Sequence, residues 1–103
     1  MVALRYSHTS LTDLKAIHDF IAKDSVANAK RFINDLRQHI TVLKQYPEFG
    51  FPAYPERYKN LRQVLYKSYR IIYLFDEDVI YIITICHQHR LPENIPVLTQ
   101  FEI

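Results

Sequence analysis

Apolar residues recur with two different periods along this chain, and the change of period divides it. Leu11, Leu14, Ile17 and Ile21 follow one another at steps of three or four, the spacing that lines one stripe of a helix. Ala29, Phe32, Ile33, Leu36, Ile40 and Leu43 continue that period, with Lys30, Arg31, Asp35, Arg37 and Lys44 pointing elsewhere. The pattern predicts helices over about 11–23 and 26–45, folded back on each other as an antiparallel hairpin. Ser10 and Asp13 have the spacing of a capping box with Asp in place of Glu, and Asp24 and Ser25 offer a cap for the second helix. Residues 2–6 (VALRY) predict one short strand ahead of the hairpin. Tyr46-Pro47 ends it, because the residue before a proline is steered out of the helical region, and the only glycine, Gly50, follows.

Past Tyr58 the period falls to two. Residues 61–66, 69–75 and 79–87 are rich in Ile, Val and Tyr and are joined by short polar breaks, which predicts an antiparallel meander. A three-residue turn at Asp76-Glu77-Asp78 would set Phe75 opposite Val79, Tyr73 opposite Tyr81 and Ile71 opposite Ile83. Arg70, Ile72, Leu74, Ile80, Ile82, Thr84, Cys86 and Gln88 would then share the even face, and a two- or four-residue turn would reshuffle the partners. The stretch 49–58 (FGFPAYPERY) predicts an ordered loop, since its aromatics need burial. The expected fold class is α+β: an N-terminal strand and an antiparallel two-helix hairpin packed on an antiparallel three- to four-stranded sheet. It forms one domain, 1–103, with the hairpin at about 11–45, the meander at about 61–88 and a tail at 91–103. Two helices cover one face of such a sheet, and both faces are apolar. The other is either an open surface that a partner fills or is covered by the tail, which carries Ile95, Val97, Leu98, Phe101 and Ile103.

Composition narrows the function classes. Hydrophobic residues are 49% and aromatics 14% of the 103 residues, enough for a core and against disorder. Thirteen Lys and Arg against eleven Asp and Glu leave a formal charge of +2, too little for the whole-surface field of a non-specific nucleic-acid binder, so any such contact needs a local patch. One cysteine forms no internal disulfide, the start MVALRYSHTS has no basic segment leading into an apolar run, and the apolar stretch 79–86 is far short of a bilayer span. These features predict a soluble, cytoplasmic chain with no membrane partner.

Candidate chemistry concentrates at the end of the last strand. His87 and His89 are two apart and would project from one face, the arrangement of two metal ligands, but a structural site needs four and a catalytic one three. Cys86 points to the opposite face, and His8, His18 and His39 lie on other elements, so no metal and no cofactor is expected. Cys86 reads as a small core residue rather than a nucleophile. Arg5, Arg62, Arg70 and Arg90 either converge on one side of the sheet or are solvated.

Several stretches together carry a family resemblance: the Leu/Ile helical hairpin, Leu43, Pro47 and Gly50 in Leu-x-x-x-Pro-x-x-Gly, Leu61-Arg62, Tyr-Arg-Ile-Ile-Tyr at 69–73, and an apolar strand ending in His87 and Arg90 as His-x-x-Arg. Over residues 2–91 the chain resembles the RelE/ParE toxin superfamily of type II toxin–antitoxin systems. The resemblance implies a small cognate antitoxin that wraps the toxin into a hetero-oligomer, and an action that arrests growth or stabilises a plasmid. Two activities compete within it: ribosome-dependent mRNA cleavage in the RelE branch, and poisoning of DNA gyrase without nuclease chemistry in the ParE branch. Cleavage through the RNA's own 2′-hydroxyl needs a base, an acid and cations on the phosphate. Arg70 matches the RelE-type arginine of the central strand. The two lysine positions before it fall on Leu61 and Gln63, the terminal Arg or His position falls near Gln88, and the tyrosine position near Asn94. That depleted set, with His-x-x-Arg as in ParE-like sequences, points to the gyrase branch. The alternative stays open, because histidine titrates near neutrality and His87 or His89 can replace a missing base. A plain interaction module without toxic activity is the third reading. The residues expected to touch target or antitoxin are Arg62, Arg70, Ile72, Ile82, His87, His89 and Arg90.

Overall fold

The computed structural model describes residues 2–90, 94 and 95. Strand β1 (Ala3–Tyr6) leads into helices α1 (His8–Ala22) and α2 (Val26–Thr41), and a 3-10 turn, Val42–Lys44, extends α2 to the end predicted from the periodicity. Strands β2 (Phe51–Pro52), β3 (Leu61–Tyr66), β4 (Tyr69–Asp76) and β5 (Val79–His87) follow. The sheet has five strands in the order β1-β5-β4-β3-β2. It is mixed rather than purely antiparallel, because β1 joins β5 in parallel, Ala3 to Val79 through Tyr6 to Ile82. The added strand at the other edge comes from the loop expected at 49–58, where Phe51 and Pro52 pair with Gln63 and Arg62.

Helix α1 starts earlier than the Ser10–Asp13 pattern predicts. Ser7 is the cap, its Oγ accepting the Ser10 amide at 3.0 Å. Asp13 is drawn away by a stronger demand. Strand β1 stops at Tyr6, so the edge of β5 beyond Ile82 would expose unpaired backbone groups. The Ser7 amide donates to the Ile82 carbonyl at 3.0 Å, and the Ser7 hydroxyl donates to Ile83 O at 2.7 Å. The Asp13 carboxylate accepts the Ile85 amide at 2.9 Å and the Thr84 hydroxyl at 2.6 Å. The first turns of α1 thus continue the ladder that β1 leaves unfinished. Ser25 caps α2 as expected, accepting the Asn28 amide at 3.1 Å.

The β4–β5 turn has two residues, not three. Asp76 pairs with Val79 and Phe75 with Ile80, and Glu77 and Asp78 both have positive φ, 48° and 63°, the conformation a two-residue hairpin needs to match the strand twist. A bulge then leaves one extra residue on β5, since Ile72 faces Thr84 while Tyr73 faces Ile82. The expected even face is therefore split. Ile80, Ile82 and Ile85 lie with Ile71 and Tyr73 beneath Leu14, Ile17, Leu36 and Ile40 of the helices. Ile83 and Cys86 lie with Ile72 and Leu74 in a second core on the far side. That far side is not an open apolar face. Ala53, Tyr58 and Ile95 bury it, with Tyr54 packed alongside. Among the tail residues expected as a cover, Ile95 serves that role, while Val97, Leu98, Phe101 and Ile103 lie outside the described residues.

The 49–58 loop is ordered, but its aromatics divide. Tyr58 is buried, whereas Phe49 and Phe51 are 73% and 51% exposed. Gly50, between them, passes against β4: its amide donates to the hydroxyl of fully buried Tyr73 at 2.9 Å, and that hydroxyl donates to the Pro47 carbonyl at 2.8 Å. A Cβ at position 50 would lie 2.7 Å from the Tyr73 oxygen and 2.8 Å from the Gln63 carbonyl. Gly50→Ala should therefore destabilise the fold by about 2–3 kcal/mol, as overpacking does. A urea melt followed by circular dichroism reads it, and an unchanged midpoint would show that the Gly50–Tyr73 contact does not hold the fold.

Candidate functional site

The strand register decides which of the expected residues meet. Arg70 pairs with Cys86, and Tyr69 on the opposite face pairs with His87. The Arg70 guanidinium donates to the Gln88 carbonyl, and its Nε is buried without a partner among the described residues. Arg90 donates to the Asn94 carbonyl at 3.1 Å. Both arginines act on the Cys86 thiol: burial pushes its pKa up, and the charges of Arg70 and then Arg90 pull against that. Both guanidinium groups therefore lie within electrostatic reach of Cys86 at the end of β5, and the described ion pairs, both made by Asp19 on α1, give neither a carboxylate. A planar donor fork that has no counter-ion among the described residues suits a carboxylate or phosphate oxygen.

The other expected residues separate. Arg62 turns to the turn after α2, donating to Gly50 O at 2.9 Å and Glu48 O at 3.2 Å. Its role in the structure is to hold that turn. Arg5 is exposed on β1, so the four arginines do not form one face. Ile72 and Ile82 are both fully buried, in the far and near cores respectively. Neither offers a partner an open surface, because the bulge and the 53–60 cover place both inside.

His87 and His89 are exposed neighbours, with ring centroids 5.1 Å apart. The His89 amide donates to Nδ1 of His87 at 3.3 Å, which makes that nitrogen the acceptor. Among the described residues no group of three His, Cys, Asp or Glu side chains could hold a metal. Leu61 and Gln63, where the family resemblance implies the lysines of a nuclease, serve the fold: Leu61 is fully buried in the far core, and Gln63 donates to Pro52 O at 3.0 Å. Gln88 contributes its backbone, with its amide on Ser68 O at 2.9 Å. The arrangement around Arg70 can hold an anion.

A second feature escaped the sequence pattern. Val42, Tyr46 and Phe49 are 53%, 60% and 73% exposed. Phe49 stands between two clefts, one of about 240 Å³ lined by His39, Val42, Leu43, Tyr46 and Val64, the other of about 450 Å³ lined by Tyr46, Pro47, Glu48 and Phe75. The signal for it was the dense run of aromatics around Gly50, which read as core. The two ends of the sheet also differ in charge. Asp76, Glu77 and Asp78 sit at the β4–β5 turn, while Lys67, Arg70, His87, His89 and Arg90 sit at the opposite end. No described helix is long and apolar enough to cross a membrane.

The model of the ParE toxin of type II toxin–antitoxin systems, parDE, matches residues 4–92. Among solved structures, that of the chromosomal ParDE TA system from P. aeruginosa matches with a TM-score of 0.72 at 19% identity, covering 84% of this chain and 96% of that one. At that identity the likeness is one of fold. No curated protein matches the sequence. The chain belongs to the ParE toxin family of type II toxin–antitoxin systems.

Burial makes a pH prediction. Cys86 and Tyr73 both have pKa values raised above their usual 9.0 and 10.0, first by desolvation. An unfolded chain loses these protons before the folded one does, so their contribution is complete below the ordinary values and is lost as pH rises through the raised ones. Denaturant stability should fall above about pH 9, and Cys86→Ser should lessen the early part of that fall. A Cys86→Ser profile that matches the wild type between pH 9 and 10 would contradict the assignment.

Proposed function

We propose that this protein is the toxin of a two-gene module, that it inhibits DNA gyrase, and that a cognate antitoxin neutralises it. The observation that carries the reading is the Arg70–Arg90 end of the sheet: an anion grip with no described counter-ion, on a scaffold whose nuclease positions hold Leu61 and Gln63. Such a grip holds an acidic side chain or a phosphate of a large target without cutting anything. Membership of the ParE family supports the gyrase target over the ribosome. Exposed His87 and His89 are the observation that favours the alternative, a RelE-like ribosome-dependent mRNA endonuclease. Purified protein should block supercoiling or trap cleaved DNA and leave mRNA on translating ribosomes intact. Codon-positioned cuts that vanish in His87→Ala or His89→Ala would replace the gyrase reading with the nuclease.

The antitoxin surface we assign is the apolar ridge of Val42, Tyr46 and Phe49 with its two flanking clefts, in place of the buried Ile72 and Ile82. A single-domain toxin gains nothing by leaving three large apolar side chains in water unless a partner covers them. Burying Phe49 is worth about 2 kcal/mol, or about thirtyfold in affinity. Phe49→Asp should weaken the complex with the product of the adjacent small gene by at least that factor, measured by calorimetry, while the toxin's own melting temperature stays put. Equal affinity for wild type and Phe49→Asp would move the interface elsewhere.

A further inference from the structure

A continuous row of aromatic rings runs across the basic end of the molecule on the helix side, and none of it is used by the Arg70–Arg90 grip. His39 lies 4.9 Å from Tyr66, Tyr66 5.7 Å from Phe32, Phe32 5.8 Å from Tyr69, Tyr69 6.2 Å from His87, and His87 5.1 Å from His89. The row joins α2 to the β3–β4 turn and the end of β5. Phe32, Tyr66 and Tyr69 are half-buried, and His39, His87 and His89 are exposed. The Lys67 ammonium is fixed over the row, 5.6 Å from the Phe32 ring and 5.7 Å from the Tyr66 ring. Lys67 holds that place because it sits in the tight β3–β4 turn at φ 54°. On α2 the row is flanked in sequence by exposed Lys30 and Arg31 on one side and exposed Asp35 on the other.

We propose that this row is a binding surface for single-stranded nucleic acid, with unpaired bases against the rings and phosphates on Lys67 and its neighbouring cations. The rings meet edge to face or tilted rather than stacked, and Phe32, Tyr66 and Tyr69 also pack on the core, so bases would meet their exposed parts one at a time. Aromatic rings beside a cation are what a flexible strand uses, since every base has a face and every step a phosphate. An acidic peptide would use the cation and leave the rings without a role. A duplex hides its base faces and would meet the cations alone. The overall charge of +2 is no obstacle, because the carboxylates Asp76, Glu77 and Asp78 lie at the far end of the sheet. The surface is distinct from the grip assigned to the gyrase reading, so the two can fail separately.

The test uses the purified full chain and a fluorescein-labelled thymidine 12-mer, read by anisotropy. Saturable binding is expected, weakening about sevenfold between 50 and 200 mM salt if two phosphates are neutralised. Phe32→Leu keeps the apolar packing but removes a ring, and should weaken binding about tenfold. Lys67→Gly removes the ammonium at a backbone position that suits glycine, and should weaken binding by a similar factor without lowering the melting temperature. Lys15→Ala, on the α1 surface beside Asp19, serves as the control and should change nothing. Absence of binding, equal affinity for a 12-bp duplex, displacement by polyglutamate of matched charge, or an equal loss in Lys15→Ala would each overturn the proposal. A Phe32→Leu or Lys67→Gly protein that loses the oligonucleotide but still blocks supercoiling confirms the surface and separates it from gyrase inhibition. One that keeps the oligonucleotide overturns the surface, whatever its effect on supercoiling.

Discussion

Tyr73 carries the constraint on which the second half of the chain depends. Its ring is fully buried beneath the helices, and a hydroxyl taken out of water must find partners or cost about 1–3 kcal/mol. It finds two in one turn, giving its proton to Pro47 and accepting the Gly50 amide. That pair of bonds ties the exit of the helical hairpin to the middle of the sheet. Only then can Phe51 and Pro52 reach β3, and only then does the chain run on over the far face to bury Ala53 and Tyr58 there. Arg62 closes the same turn from outside, on the carbonyls of Glu48 and Gly50. Phe49 is trapped between two anchored neighbours and has nowhere to go but outward, which creates the apolar ridge.

The bulge on β5 is the second determinant. Without the extra residue at Ile83, the strand would send either its first half or its second half to the wrong core. With it, Ile80 and Ile82 serve the helices, Ile83 serves the far core, and Ile85 returns to the helices. The strand therefore ends with Cys86 beside Arg70 and His87 beside Tyr69. One irregularity in the middle thus sets which chemistry faces which side at the tip. Asp13 and Ser7 hold the backbone there from the helix side, so the irregular stretch is satisfied rather than frayed.

Much of the architecture is legible in the sequence because it rests on period. The helical stripes and the three long strands are set by apolar spacing, and each appears within a few residues of its expected place. What escaped is what period does not encode. The parallel pairing of β1, the two-residue turn at Glu77-Asp78 and the bulge depend on hydrogen-bond register, and a shift of one residue exchanges the faces of a strand without altering its pattern. That is why Ile82 was expected on the same face as Ile72 and lies on the other. Of the candidate site, type and order singled out Arg70, His87 and Arg90, which the fold places together at the end of β5, whereas Arg62 has the same type and serves a turn. Aromatic residues misled most: Phe49 and Tyr58 lie nine positions apart in one loop, and only the anchoring of Gly50 decides that one is outside and the other inside.

The small net charge hides two local patches, three carboxylates at the Asp76–Asp78 turn and the cations Lys67, Arg70 and Arg90 at the other end of the β4–β5 hairpin. The strands of the meander are eight and nine residues long, or roughly 27–30 Å at the usual rise, and physiological salt screens charge beyond about 8 Å. A partner approaching either end therefore senses that end alone, and a polyanion meets a cation rather than a nearly neutral protein. At that range the β3–β4 tip and the end of β5 attract a negative surface while the Asp76–Asp78 turn repels one, so the two ends of the hairpin select opposite partners at close approach.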